Sequence, residues 1–316
     1  MIPATCFSQR PAFILFASPF SRLPQTMICL TKRRLAALIT IALAFASNGI
    51  CSAQSDNDIG KRLTFLATFD ESFDADFANG SSKTMTASDV GRSKLSEEMS
   101  VPGVTRDKVG KYGKALSFSQ KTKSVYCFAA EKNFPYSENS FDSTISFWMK
   151  TDLKTLPPGF IDPLQITDKK WNDAAIFVDF SDKSPRDFRM GVFSNLKFWN
   201  PENNNYDKMP ASERPLIDAG NVKFSSDRWT HVALVFKSLN SLDKQSRCQF
   251  YIDGKKIGQL DRNQKLTWNV KKAVIMLGIY FVGEMDDFAI FDSALSEPQI
   301  EEIFKSPKSL KHLIKK

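Results

Sequence analysis

The sequence predicts an all-β protein, a two-sheet antiparallel β-sandwich with a short C-terminal helix. Many short segments alternate apolar and polar residues between turn-forming residues, as antiparallel sheets require. The dipeptide Asp253-Gly254 stands between two such segments and is a strong hairpin signal. Ser296 and Gln299 have the spacing of a helix capping box, ahead of the apolar residue Ile300. A helix is therefore expected only at the end of the chain.

The pattern of alternation places the strands in order along the chain. A repeating antiparallel pattern with one polar face fits a jelly roll of two packed sheets. The polar segment 71–109 is predicted to be a long surface loop, and residues 152–227 are the least regular part. The strands are predicted at 63–69, 116–118, 125–129, 144–151, 175–180, 188–193 and 229–236, followed by the hairpin and a strand through Phe288 and Ile290.

The N-terminal region has the features of a secretory signal peptide. Three cations at 32–34 precede an apolar run at 35–46, and small residues follow at 51–53. The run is too short to span a membrane comfortably. Met27 gives a leader of normal length, so we expect translation to begin there. We divide the chain into a signal peptide (1–53), a short linker (54–61), one jelly-roll domain (62–305) and a basic tail (306–316), and expect export to the periplasm, cell surface or exterior.

Charge and cysteine content narrow the functional classes. The formal net charge is +8, and residues 1–53 contribute five cations and no acid, so the rest of the chain is close to neutral. This balance gives no support to nucleic-acid binding. After cleavage only Cys127 and Cys248 remain, both in strand-like segments. We expect buried free thiols, and a disulfide in the exported protein is the alternative. No transmembrane segment is expected after cleavage, and the oligomeric state is left open.

Four motifs, in order and at characteristic spacing, resemble a known family. They are Trp-Thr-His-Val at 229–232, Tyr-Ile-Asp-Gly at 251–254, Gly-Glu-Met-Asp-Asp-Phe-Ala-Ile-Phe at 283–291, and Ala-Leu-Ser-Glu-Pro-Gln-Ile at 294–300. The chain is similar over about 63–304 to the laminin-G-like, concanavalin A-like lectin-glucanase jelly-roll domains of secreted bacterial proteins. The resemblance implies a concanavalin A-like jelly roll and a structural role for His231.

The resemblance also implies one structural calcium ion. Relatives hold it with an aspartate of the late strand and backbone carbonyls near the first strand. The matching residue is Asp286, with Asp287 beside it and Asp70 at the end of the first strand. Carboxylate and carbonyl oxygens are what Ca²⁺ prefers. The alternative is that Asp286 only accepts hydrogen bonds from backbone amides.

The same fold also contains glycoside hydrolases, which need two carboxylates about 5–5.5 Å apart in retaining enzymes. In those enzymes the acids follow the pattern Glu-x-Asp-x-x-Glu on one strand. The segment 284–288 lacks the second glutamate, and its parity with Phe288 suggests a partly buried face. Neither histidine has an evident catalytic partner, and no metal-protease or phosphate-loop motif is present. We therefore expect no enzymatic activity.

Binding residues are best sought in the irregular middle of the chain. Trp171, Trp199 and Tyr206 stand there among asparagine and aspartate residues. Exposed rings in loops could form a platform for sugars, or they could cap the sandwich as minor-core residues. The first hypothesis is a secreted, non-catalytic module that binds a glycan or a glycosylated surface. A glycoside hydrolase of the same fold is the alternative, and a protein-interaction or envelope-adhesion domain is a further one.

Overall fold

Two antiparallel sheets pack face to face in residues 59–220 and 222–314, which are the residues that the computed structural model describes. Short helices connect or end the strands: α-helices Leu196–Trp199 and Glu297–Lys305, and 3-10 helices Tyr206–Lys208, Ala211–Glu213 and Leu310–Leu313. The strands are β1 (Leu63–Ala67), β2 (Phe77–Ala78), β3 (Thr84–Ala87), β4 (Leu95–Ser96), β5 (Val104–Val109), β6 (Lys114–Phe118), β7 (Val125–Ala129), β8 (Phe141–Lys150), β9 (Ile161–Thr167), β10 (Ala175–Phe180), β11 (Phe188–Phe193), β12 (Leu216–Asp218), β13 (Thr230–Leu239), β14 (Arg247–Ile252), β15 (Lys255–Asp261), β16 (Val274–Ile279) and β17 (Gly283–Phe291).

Within the described ranges, the first sheet has nine strands and the second has eight. In the first sheet the order is β15-β14-β13-β8-β17-β1-β2, and β6 pairs with both β17 and β5. In the second sheet the order is β12-β11-β10-β9-β16-β7-β3-β4. Their inner faces form the main core, since side chains of one parity along each strand point between the sheets. The predicted all-β sandwich is confirmed.

The predicted hairpin is present between β14 and β15. Asp253 has φ 50° and Gly254 has φ 74°. Both values lie in the left-handed region that a type I′ turn requires, and aspartate followed by glycine tolerates it best. The strands predicted at 175–180 and 188–193 coincide with β10 and β11.

Two predictions about irregular segments were wrong. The segment 71–109 contains β2 to β5 instead of one long loop. Its polar composition misled because Thr84 and Thr86 are buried, and their hydroxyls donate to the carbonyls of Phe73 and Glu98. The middle of the chain contributes two more strands than predicted, β9 and β12. In β9, Pro163 breaks the usual sequence signal of a strand.

The terminal helix Glu297–Lys305 covers the outer face of the first sheet. Ser296 donates to Gln299 Oε1 through its backbone N–H and through its hydroxyl, both at 2.9 Å. The bond from the backbone N–H is the one that the capping-box spacing predicts. Ile300 and Ile303 are buried in a second apolar cluster on this face. Residues 310–313, expected in the basic tail, join that cluster through two buried leucines.

The remaining sequence-based predictions concern the N-terminal region, membrane-spanning helices and the two cysteines. The signal peptide, the start at Met27 and most of the linker lie outside the described residues. None of the helices in residues 59–220 and 222–314 has the length and hydropathy needed to cross a membrane. Cys127 on β7 and Cys248 on β14 are buried free thiols in different sheets, as expected. Burial raises the pKa of the Cys127 thiol to about 12.

Candidate functional site

The outer face of the second sheet carries an aromatic surface at β10 and β11. Ile176 and Val192 point into the main core, so their neighbours Phe177 and Phe193 point outward. The two outward rings stack with centroids 5.4 Å apart. The cross-strand partner of Phe177 on β11 is Gly191, where an added Cβ would collide with the Phe177 ring. Glycine at this position lets the aromatic ring lie flat on the sheet.

The three aromatic residues singled out in the sequence come together on this surface. Trp171, Trp199 and Tyr206 each contact the ring of Phe193, with centroid distances of 5.6, 5.0 and 5.9 Å. Trp171 and Tyr206 also contact each other at 5.3 Å. We call these four rings with Phe177 the aromatic cluster. Residues from separate segments thus pack into one cluster around the buried Phe193 ring.

The three aromatic residues differ in burial, which bears on whether each caps the sheet or is exposed as a sugar platform would be. Trp199 and Tyr206 are half-buried, and the Trp199 indole N–H donates to the carbonyl of Asn172 at 2.9 Å. They cap the sheet, as minor-core residues do. Trp171 keeps 43 % of its surface exposed at the rim of the cluster. It is the most exposed ring of the cluster.

Hydrogen bonds within the connecting segments position the cluster. Asn195 caps the helix Leu196–Trp199, and Asp173 Oδ1 accepts the N–H of Leu196 at 3.0 Å. The guanidinium of Arg214 lies 4.8 Å from the centroid of the Tyr206 ring and donates to two backbone carbonyls. The loops that hold the rings are therefore ordered by their own side chains.

A buried ion pair adjoins the aromatic cluster. Arg189 and Asp179 face each other across β11 and β10, with exposures of 8 % and 4 %. Arg189 Nε donates to Asp179 Oδ1 at 2.9 Å, and its Nη2 donates to Oδ2. Burial raises the pKa of Asp179 despite this partner, and the carboxylates of Asp218 and Asp187 add to the rise. The sequence analysis missed this pair, although a hairpin of 175–180 with 188–193 would have brought the two residues opposite each other.

The predicted metal ligands divide into two groups. Asp286 Oδ2 accepts the N–H of Tyr112 at 2.8 Å, and Asp70 Oδ1 accepts the N–H of Lys114 at 2.8 Å, so both meet the loop 110–114. Asp287 turns to the C-terminal segment, where it accepts the hydroxyl of Ser309 and a backbone N–H, each at 2.7 Å. The hydrogen bonds expected for the non-metal interpretation of Asp286 are thus present.

The surroundings of Asp286 nevertheless fit a calcium ion. Asp286 Oδ2 and the carbonyl oxygens of Lys114 and Tyr112 converge beside Gly110, each 2.6 or 2.7 Å from where a Cβ would lie. One carboxylate and two carbonyls are the donor types that Ca²⁺ uses. Within the described ranges, no group of three His, Cys, Asp or Glu side chains is arranged to hold a metal, so such a site would depend on carbonyls.

Asp286 and Asp287 are nearly inaccessible and lack a cationic partner within hydrogen-bond reach among the described residues. Burial, together with the neighbouring Asp287 charge, raises the pKa of Asp286 to about 8. Burial likewise raises the pKa of Asp287 to about 6. A bound divalent cation would supply the missing positive charge.

The residues considered for catalysis are either ion-paired or buried. Glu284 forms an ion pair with Lys150 at 3.3 Å, and Asp286 is fully buried. His231 is fully buried beneath the terminal helix, with its Nε2 2.9 Å from the Ser146 hydroxyl. Burial lowers the pKa of His231 to about 3. This agrees with the structural role that the resemblance implied.

Solved structures with a similar fold include toxin binding domains and a domain of a hydrolase. The binding domain of botulinum neurotoxin serotype D/C is 11 % identical and covers 78 % of this chain and 52 % of its own, with TM-score 0.52. A botulinum neurotoxin type C structure, described as dependent on two ganglioside molecules for cell entry, is 13 % identical and covers 82 % and 53 %, also with TM-score 0.52. The chain thus spans about half the length of these toxin structures.

A third similar structure is domain 4 of an extracellular arabinanase from Geobacillus stearothermophilus, in complex with arabinotriose. It is 15 % identical, covers 77 % of this chain and 98 % of its own, and has TM-score 0.47. At these identities the likeness concerns the fold alone. The search of curated proteins found no match.

A family model supplies the assignment. The model described as the concanavalin A-like lectin/glucanases superfamily matches residues 121–301, which is more than half of the chain. The matched range includes the hairpin, β17 and most of the terminal helix. It also includes the whole aromatic cluster. The chain belongs to the concanavalin A-like lectin/glucanases superfamily.

Proposed function

We propose that this protein is an exported, non-catalytic module that binds carbohydrate through the aromatic cluster. The observation that carries the proposal is the position of Trp171. Its ring is 43 % exposed, yet contacts with Phe193 and Tyr206 hold it in place. A rigid exposed ring can stack on the apolar face of a sugar without first losing conformational freedom.

Polar groups around the rings support carbohydrate as the ligand. Asn172, Asp173 and Asn195 lie in the segments that carry or adjoin Trp171 and Trp199. Binding sites for small molecules combine apolar or aromatic walls with a few placed polar groups. Loops on a rigid sheet are also where binding residues concentrate. The proposal fits a superfamily whose description names both lectins and glucanases.

A glycoside hydrolase is the second candidate, since the superfamily includes glucanases. The acids at 284–287 argue against it, because Glu284 is neutralised by Lys150 and Asp286 is inaccessible. A protein-interaction domain is the third candidate. Its supporting feature is a set of exposed apolar side chains outside the cluster, such as Val109 and Leu242.

Export and calcium binding complete the proposal. Export rests on the sequence pattern of residues 27–53. The calcium site would use Asp286 with the carbonyls of Tyr112 and Lys114, and Asp70 would support the same loop. When bound, the ion would neutralise the buried carboxylate and tie β17 to the loop 110–114. Calcium should then raise the melting temperature, and a chelator or Asp286→Asn should abolish that increase; no shift in the wild-type protein would reject the site.

Binding to a panel of soluble and insoluble neutral polysaccharides tests the main proposal. Trp171→Ala should weaken binding about tenfold or more, since a stacked aromatic contact contributes on the order of 1 kcal/mol beyond its buried area. Trp229→Ala is the matched control, because that tryptophan is half-buried beside Lys150 on the other sheet. Equal loss in both variants, or no binding by the wild type, would refute the proposal. Reducing ends released in the same samples would indicate the hydrolase instead.

A further inference from the structure

A second exposed aromatic ring lies beyond the aromatic cluster, on the outer side of the same sheet. Phe160 keeps 49 % of its surface exposed, and its ring centroid is 5.4 Å from the guanidinium carbon of Arg189. The guanidinium is itself fixed by its two bonds to Asp179. Phe160 therefore rests on a buried, immobile support, and its remaining surface is open to solvent.

The loop that carries Phe160 is held in place by two cations. Arg186 donates to the carbonyls of Gly159, Ser181 and Pro157 at 2.8, 2.6 and 2.6 Å. Lys121 donates to the carbonyl of Pro158 at 2.9 Å. Arg186 connects the loop to the β10–β11 turn and Lys121 connects it to the segment between β6 and β7, so the ring is positioned before any ligand binds. Pre-organisation of this kind lowers the entropic cost of association.

The two aromatic surfaces are connected. Met190 and Val192 of β11 point into the main core, so Arg189 and Phe193 lie together on its outer face. Arg189 supports Phe160, and Phe193 contacts Trp171. Arg189 and Phe193 are four positions apart on β11, or about 13 Å at the usual rise of a strand. We call the surface that runs from Trp171 and Phe193 to Arg189 and Phe160 the aromatic strip. It is longer than one sugar ring.

The polar groups of the strip suit hydroxyl groups better than anions. Asp162 lies near the ion pair and accepts from Gln165 Nε2 at 2.9 Å. Asp218 and Asp187 add further negative charge around Asp179. The cations near the strip, Arg189, Arg186, Arg214 and Lys183, are matched in number by the carboxylates of Asp162, Asp179, Asp187 and Asp218, so these groups give the strip no excess positive charge to attract a polyanion.

We propose that the aromatic strip binds several consecutive units of a neutral oligosaccharide, with Phe160 as a second stacking platform some distance from Trp171. This inference rests on the proposed carbohydrate function and adds the length and charge class of the ligand. A short sugar contacts the Trp171 end alone. A longer chain also reaches Phe160, and its affinity rises accordingly.

Titration calorimetry with unbranched neutral oligosaccharides of one to six units, built from glucose, mannose, xylose or arabinose, tests the inference. Wild-type affinity should rise about tenfold or more from the shortest sugar that binds to the six-unit chain, as a second aromatic contact implies. Phe160→Ala should remove this rise and leave the affinity for the short sugar unchanged. Phe198→Ala is the matched control, since that ring is 51 % exposed and has no ring contact with the strip among the described residues.

The possible results separate the two proposals. If affinity rises with oligosaccharide length equally in wild type and Phe160→Ala, Phe160 is not a second platform, and the proposed carbohydrate function is unaffected. The same loss in Phe198→Ala as in Phe160→Ala would also overturn it. Tighter binding to uronic-acid oligomers than to neutral ones would overturn the charge class. No binding of any sugar by the wild type would overturn both proposals.

Discussion

One buried histidine, His231, should make an unfavourable contribution to stability as the pH falls. Its side chain is fully buried between the first sheet and the terminal helix, where it contacts the rings of Trp148 and Phe304. Its Nδ1 has no hydrogen-bond partner among the described residues, and the ammonium of Lys111 lies over the neighbouring Trp148 ring at 4.4 Å. Burial and this positive charge both disfavour the protonated ring.

The size of the effect follows from the pKa. In the folded protein the pKa of His231 falls from 6.5 to about 3. Between these pH values the unfolded chain binds a proton that the folded chain does not. The contribution of His231 to stability is therefore complete above pH 6.5 and is lost as the pH falls towards 3. The full difference corresponds to about 5 kcal/mol, or about 1.4 kcal/mol for each pH unit crossed.

Urea unfolding at pH 7.5, 6.5, 5.5 and 4.5 measures this loss. Wild type and His231→Gln share all other titrating groups. The pH dependence of the difference between their free energies of unfolding therefore isolates the contribution of the histidine. From pH 6.5 to 4.5 the wild type should lose about 2–3 kcal/mol more than the variant. The reasoning is refuted if the two free energies of unfolding follow parallel curves, whatever the absolute stability of the variant.

Three further predictions concern stability and reactivity. Arg189→Met should cost about 3–5 kcal/mol by leaving Asp179 buried without a partner, and adding Asp179→Leu should recover most of that loss in a double-mutant cycle. Gly278→Ala should cost about 2 kcal/mol or more in urea unfolding, because φ is +74° there and a Cβ would collide with the Phe118 ring. Cys127 should react with a thiol reagent only after unfolding, as peptide mass spectrometry would show; rapid labelling of the native protein would contradict its burial.

Local signals were sufficient for much of the fold. The turn at Asp253-Gly254 was predictable because few dipeptides tolerate two successive residues in the left-handed region. Strands β10 and β11 were predictable because their apolar runs are bounded by clear turn residues. By contrast, β3 was missed because its buried threonines have hydrogen-bond partners that no local pattern reveals.

The candidate site was only partly predictable. Trp171, Trp199 and Tyr206 were suspected from composition, and their meeting on Phe193 depends on the pairing of β10 with β11. The exposed ring of Phe160 gave no sequence signal, since its support by Arg189 comes from a contact between distant segments. Such contacts require the register of the sheet, which alternation alone does not supply.

The indole N–H signals of the five tryptophans show directly whether sugar binds at the aromatic cluster. Each can be assigned in a ¹H–¹⁵N correlation spectrum by a Trp→Phe variant, and they range from the buried Trp148 and Trp268, each 4 % exposed, to Trp171, which is 43 % exposed. On addition of the tightest-binding sugar, the account predicts a shift of the Trp171 signal that saturates at the affinity measured by calorimetry. The signals of the core residues Trp148 and Trp268 should stay in place. Saturating shifts confined to Trp229, on the other sheet, would contradict the assignment of the binding surface.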